Sequence, residues 1–273
     1  MAEEAHIVPD FGFDAYSPAQ IAERVHSAAL TKARLPLVTL VMLSLLAGAF
    51  IGLGSLFYVI VLSDPGLGFA ASRVLGGACF SLGLLLVVVA GAELFTGNNL
   101  LAMAWAEGAV TTGEVLKNWT VACAANFAGA AGLAALVFLS GHAELNGGAI
   151  GRTYLEIAAA KSSLPWWTAF FRGVLCNVLV CMAVWMALAG RSVTDKAVAI
   201  LFPITAFVAA GFEHSIANMY FLPLGLMLQA AAGEPLAWAG LARNLVPVIA
   251  GNLVGGSVLV ALVYYVIYRR PRT

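Results

Sequence analysis

The chemically loaded positions of this chain lie inside its apolar stretches. Glu93, Thr96, Gly97, Asn98 and Asn99 fall in one long hydrophobic run, and Glu213, His214, Ser215 and Asn218 fall in another. Ionisable groups at mid-membrane depth cost about 2.5–3.5 kcal/mol each on insertion scales, so such groups must face protein or a watery cavity. Imidazole donates a hydrogen bond when neutral and binds a proton near its ordinary pKa of ~6.5, which makes His214 the group suited to proton chemistry. A lone histidine in an apolar run is ordinarily a satisfied core residue. Its place in this polar cluster, opposite Thr96 by the internal repeat set out below, argues instead for a role in a passage. Phe80, Leu84, Leu94 and Phe207 flank the clusters and have two readings, an apolar constriction that excludes hydrated ions or plain helix packing.

The elements that must position these groups follow from composition. Of 273 residues, 62% are hydrophobic and 10% charged, well under the roughly 25% charged residues of soluble domains, so the solvent must be the bilayer. Six windows supply the ~20 apolar residues that a spanning helix needs: residues 37–62, 74–105, 118–141, 165–189, 197–230 and 244–268. An even number of crossings puts both termini on one face. That face would carry Arg24, Lys32, Arg34, Lys117, Arg191, Lys196, Arg269, Arg270 and Arg272, and the other Arg73, Arg152, Lys161 and Arg243. Nine against four predicts cytoplasmic termini. The domain division is a cytoplasmic segment 1–36, a six-helix channel domain 37–268 and a basic tail 269–273. Within the first of these, Ser17-Pro18 followed by Ile21, Val25 and Ala29 predicts a capped amphipathic helix on the membrane surface. The start, Met1-Ala2-Glu3-Glu4, lacks the basic-then-apolar order of a cleaved signal peptide. Zero formal net charge argues against nucleic-acid binding. Cys79, Cys123, Cys176 and Cys181 lie in apolar runs without CxxC spacing and read as small buried hydrophobes, so no metal or other cofactor is expected.

Comparison of the halves organises the rest. Residues 118–137 laid on 244–263 match at Asn118, Ala124, Asn126, Gly129, Leu133, Ala135, Leu136 and Val137, partnered by Asn244, Ala250, Asn252, Gly255, Leu259, Ala261, Leu262 and Val263. Gly91-Ala92-Glu93 with Asn98 likewise pairs with Gly211-Phe212-Glu213 and Asn218. A unit of three spans is odd, so its second copy, about 165–268 against 37–141, enters the bilayer inverted. Breaks in spans two and five explain their length and polarity, because unwound backbone offers donors and acceptors that polar side chains and water satisfy. The half-helix N-termini so formed favour an anion near the midplane. Glu93 and Glu213 then read as caps on freed N–H groups, since a carboxylate lining the passage would repel an anion. Asn126, Asn252 and Asn177 read as bonds between helices or to broken backbone. Lys161, in Ala-Ala-Ala-Lys-Ser-Ser-Leu-Pro on the outer face, is either an interfacial anchor or an attractant that gathers anions at a mouth.

Several stretches resemble one family, the formate/nitrite transporters: Gly-Ala-Glu-Leu-Phe-Thr-Gly at 91–97, Lys-Asn-Trp at 117–119, Ala-Lys at 160–161, Phe-Arg-Gly-Val-Leu-Cys-Asn at 171–177 and Gly-Phe-Glu-His-Ser-Ile-Ala-Asn-Met at 211–219. The likeness runs from about residue 17 to 268. Gly-Arg-Ser with Asp-Lys at 190–196 and Asn-Leu-Val-Pro at 244–247 look like the formate channels, whereas Thr96-Gly97 looks like the nitrite branch. The resemblance implies an aquaporin-like protomer in a symmetric homopentamer of a bacterial-type inner membrane, with lipid around it and a pore through each subunit. It maps Leu94 and Thr96 to the loop after the first half of span two, His214 to the pore histidine, Lys161 to the vestibule lysine, and Phe80, Leu84 and Phe207 to the constrictions. The implied function is passage of small monovalent anions of weak acids, formate first, with nitrite or hydrosulfide as alternatives. Lys161 would favour arrival of the anion, and His214, hydrogen-bonded with Thr96, would supply or relay a proton. A water or glycerol channel of aquaporin type would need twin Asn-Pro-Ala boxes, which are absent. An enzyme would need a nucleophile, metal cluster or haem ligands within the bundle, for which a single intramembrane histidine leaves little material.

Overall fold

The computed structural model describes residues 15–235 and 238–270. The Met1–Glu4 start, Arg272 and the end of the basic tail lie outside the described residues. Within them the chain is all helical, with no strand. Helix α1 (Pro18–Ala33) opens on a capping box: the Ser17 hydroxyl accepts from the Gln20 amide and the Gln20 side chain accepts from the Ser17 amide. It buries Ile21, Val25 and Ala29 and stops before Pro36.

Among the described residues, five helices are long and apolar enough to cross a membrane: α2 (Leu37–Leu62), α3 (Phe69–Gly91), α6 (Thr112–Leu139), α8 (Trp166–Ala187) and α11 (Trp238–Tyr268). The last turns of α3 and residues Val254–Leu262 of α11 are wound as wider π-helix. Shorter helices complete the chain: α4 (Phe95–Asn98), α5 (Leu101–Ala106), α7 (Ala149–Ser162), α9 (Val193–Ala209) and α10 (Ser215–Ala231). Capping boxes Thr111/Glu114 and Ser192/Asp195 begin α6 and α9.

Packing follows the internal repeat. Helix α2 lies on α3 and α6, α8 lies on α9 and α11, and α3 meets α9 between the halves. The corresponding joints use glycine because backbones touch there. A Cβ on Gly129 would sit 2.0 Å from the Leu45 carbonyl oxygen, and one on its repeat mate Gly255 would sit 2.2 Å from that of Val174.

Helices α3 and α9 also end alike. Gly91 and Gly211 adopt φ of +89° and +74°, a left-handed conformation that closes a helix and that glycine takes without strain. The chain then runs extended through Ala92–Leu94 before α4, and through residues 212–214 before α10. Glu93, Glu213 and His214 lie on these two short segments, and Thr96, Asn98 and Asn218 follow in α4 and α10. Cys176 and Cys181 are buried, Cys79 and Cys123 partly so, and all four are free.

Candidate functional site

Each segment is fastened by the same kind of clamp. After Gly91 the Glu93 amide donates to the Leu43 carbonyl, and after Gly211 the Glu213 amide donates to that of Arg172, both at 3.2 Å. Asn126 accepts from the Phe95 amide at 2.9 Å and donates to the carbonyls of Ser44 and Glu93 at 2.7 and 3.0 Å. Asn252 accepts from the Ser215 amide at 3.0 Å and donates to the carbonyls of Gly173 and Glu213 at 2.8 and 3.0 Å. Both asparagines are fully buried. A carboxamide suits this place because one side chain satisfies a donor and two acceptors of an interrupted backbone.

The carboxylates do a different job from capping backbone. Glu93 accepts from Lys32 Nζ at 2.5 Å and from Asn98 Nδ2 at 2.7 Å, and Asn98 also donates to Asn118 at 2.9 Å. In the other half Glu213 accepts from Lys161 Nζ at 3.0 Å through each oxygen and from Asn218 Nδ2 at 2.6 Å, and Asn218 donates to Asn244 at 2.7 Å. Asn118 and Asn244 close each network by donating to the backbone carbonyls of Lys32 and Lys161, both at 3.0 Å. Free N–H groups fall to Asn126, Asn252 and His214, because a buried carboxylate gains far more from an ammonium than from an amide. Lys161 belongs to α7 and is largely buried against Glu213, paired rather than free at a membrane interface.

Lys32, Asn118 and Asn244 are site residues that spacing alone left among the surface charges and repeat matches. A signal for the lysine does exist. Lys32-Ala-Arg-Leu-Pro36 and Lys161-Ser-Ser-Leu-Pro165 share Lys-x-x-Leu-Pro just before α2 and α8.

Between the two networks Thr96 Oγ1 and His214 Nε2 lie 3.1 Å apart, with Thr96 wholly buried and His214 3% exposed. The ring's other nitrogen, Nδ1, accepts from the Ala217 amide at 3.1 Å at the start of α10. A neutral imidazole has one donor and one acceptor, so the hydrogen-bond network assigns the proton to Nε2, which donates to Thr96. The Thr96 hydroxyl proton is then free for a third group. The Thr96 carbonyl accepts from Asn177 Nδ2 at 3.2 Å and Cys181 Sγ at 3.4 Å, and Asn177 also donates to Asn99 and the Asn252 carbonyl. This pins the short helix α4 that carries the threonine.

Apolar side chains surround the pair. The Phe80 and Phe207 rings meet edge to face at 5.6 Å, and Phe207 stacks on His214 at 5.9 Å. With His214, Lys161 and Glu213 they line a cavity of about 220 Å³ on the α7 side. Leu84 and Leu94 line a second cavity of about 400 Å³, bordered by Lys32 and Glu93, on the α1 side. Phe80, Leu84, Leu94 and Phe207 are all 2–4% exposed. The arrangement therefore presents one imidazole to the α7-side cavity, with one wholly buried hydroxyl held against it among apolar side chains.

Apolar helices around a buried polar pair, with the helical path interrupted twice beside it, define a membrane transport protein. The chain belongs to the formate/nitrite transporter family, whose sequence profile matches residues 19–266. It is 39% identical to the formate channel FocA of Escherichia coli (strain K12), over 96% of this chain and 97% of that one. Among solved structures it resembles a pentameric formate channel with formate bound (35% identity, 86% of this chain and 98% of that chain, TM-score 0.79). It also resembles an ion channel of the same family (30% identity, 91% and 98%, TM-score 0.80).

Proposed function

We propose that this chain conducts small monovalent anions of weak acids across a bacterial-type cytoplasmic membrane, with formate its principal solute, ahead of nitrite. The reading takes the protomer as six crossings in an inverted three-plus-three, aquaporin-like repeat, with crossings two and five broken. Five such protomers form the assembly, each with its own pore. Residues 1–36 and 269–273 face the cytoplasm and residues 37–268 form the channel. Support for the formate reading comes from the relatives, and support for the pore from one observation: His214, bonded to Thr96, lines one cavity with Phe80 and Phe207, while Leu94 and Gly97, on either side of Thr96 in the chain, line the other with Leu84.

The mechanism is one of falling dielectric. A bare anion entering the constriction loses its hydration at a cost of many kcal/mol, whereas a neutral acid does not. Low dielectric also favours the uncharged form of a carboxylic acid. The anion therefore takes up a proton relayed through cavity water from the solution on the α7 side, which is left one proton poorer, and it crosses as the acid. The Thr96 hydroxyl donates to its carboxyl group. His214 holds that hydroxyl in place, since giving up its own Nε2 proton would leave an imidazolate. Lys161, with one N–H beyond the two that Glu213 takes, donates to the anion at the mouth.

His214→Phe and Lys161→Ala are each expected to lower uptake of labelled formate into liposomes without loss of the pentamer. Undiminished flux through both variants would remove these residues from the mechanism.

A further inference from the structure

The two cavities are built on equivalent frames but carry different charge. The charged side chains lining the α1-side cavity are Lys32 and Glu93, an ammonium and a carboxylate already in contact. The α7-side cavity is lined by Arg73, Lys161, Arg172 and Glu213. Lys161 and Glu213 cancel each other at 3.0 Å, which leaves two guanidinium charges. Arg73 donates to the carbonyls of Val208 and Ala209 at 2.8 and 3.1 Å and to the Tyr58 hydroxyl at 3.0 Å, all neutral acceptors. Arg172 is exposed and has no carboxylate partner among the described residues.

We infer that Arg73 and Arg172 form the anion-collecting site of the α7-side cavity, and that the α1-side cavity has no counterpart. Lys161 is then a short-range donor, and the field that draws a small carboxylate to this mouth comes from the two arginines. The inference rests on the proposed transport of such anions and adds a polarity to it. Guanidinium is charged at every physiological pH, so the attraction persists across pH and weakens only with salt. A cleft with excess charge of one sign raises the local concentration of the opposite ion. The half-saturating formate concentration should accordingly be lower from the α7 side than from the α1 side. A passive pathway cannot have different low-concentration permeabilities in its two directions, so the maximal rate from the α7 side must be lower in proportion.

The test is formate flux in liposomes holding the protein in one orientation, measured from each side over a range of formate concentrations. Removing one unit charge about 6 Å from the anion in water-like dielectric should raise the α7-side half-saturating concentration about threefold. Arg172→Gln should do so alone, Arg73→Gln should do so where the α9 end it caps stays folded, and the pair should give about tenfold. The α1-side value should not move, and high ionic strength should erase the wild-type difference between the two sides. Unchanged α7-side saturation in Arg172→Gln, or equal shifts from both sides, would overturn the assignment. Wild-type protein that passes no formate from either side would instead overturn the transport reading on which it stands.

Discussion

Replacing Lys161 by methionine should destabilise the protein, and replacing Glu213 by glutamine in the same chain should restore most of the loss. Side-chain exposure is 16% for Lys161 and 6% for Glu213, and both carboxylate oxygens lie 3.0 Å from Nζ. At an effective dielectric near 20 the gross attraction is about 5 kcal/mol. Breaking a buried pair from one side costs roughly 3–5 kcal/mol, because an uncompensated charge stays behind. Glu213 keeps Asn218 as a donor at 2.6 Å, and Lys161 is partly wetted, so the lower end applies. A loss of about 3 kcal/mol should lower Tm in detergent by roughly 6–12 °C for a chain of this size. In the double variant no charge is stranded, and the coupling recovered should be about 2 kcal/mol. Formate flux should fall in the single variant, since an unpaired carboxylate in the cavity repels the anion, and recover only in part in the double variant, which still lacks the Lys161 donor. Thermal losses that simply add, with the double variant worse than either single one, would refute the pairing and the charge accounting built on it.

The two asparagine clamps make equivalent bonds, so Asn126→Leu and Asn252→Leu should lower stability alike, by about 3 kcal/mol or more for the stranded amide and carbonyls. Loss at one with none at the other, in thermal unfolding, would break that equivalence. Thr96→Val removes the hydroxyl that donates to the acid in transit, a loss of about 1–3 kcal/mol at the barrier that should appear as a fall of roughly 5- to 150-fold in formate flux. Thr96→Ser should stay near wild type, and equal flux through serine and valine would exclude the hydroxyl. Outside the spanning helices, burial holds the His142 pKa below its usual 6.5, and neither ring nitrogen has a partner. The unfolded chain then binds more protons, so this contribution is present above pH 6.5 and lost as pH falls toward the folded-state value. His142→Gln should flatten that acid-side decline in Tm, and an unaltered slope would clear the histidine.

What was legible in the sequence came from repetition and from the oddity of charge in apolar surroundings. The matched Glu-Asn spacings of 93/98 and 213/218 and the paired Asn126 and Asn252 do occupy equivalent places in the two halves. The contacts were harder to read. Lys32 reaches Glu93 across 61 residues and Lys161 reaches Glu213 across 52, separations that local periodicity cannot register. The repeat also misdirects at the site itself. By the spacing of the glutamates, the mate of His214 is Leu94 and not Thr96, so the hydrogen bonds of the frame recur while the lining does not. The window 197–230 hides two helices of 17 residues each, α9 and α10, because apolar composition continues through the positive-φ glycine that separates them.

The claim that carries the account is that the solute crosses the dry stretch uncharged. Simultaneous recording of formate flux, internal pH and membrane current in liposomes tests it directly. The account predicts that each formate arrives with a proton, that no current accompanies the flux, and that an imposed pH gradient alone accumulates formate. A steady current of negative charge matching the formate flux, with internal pH unmoved, would contradict it.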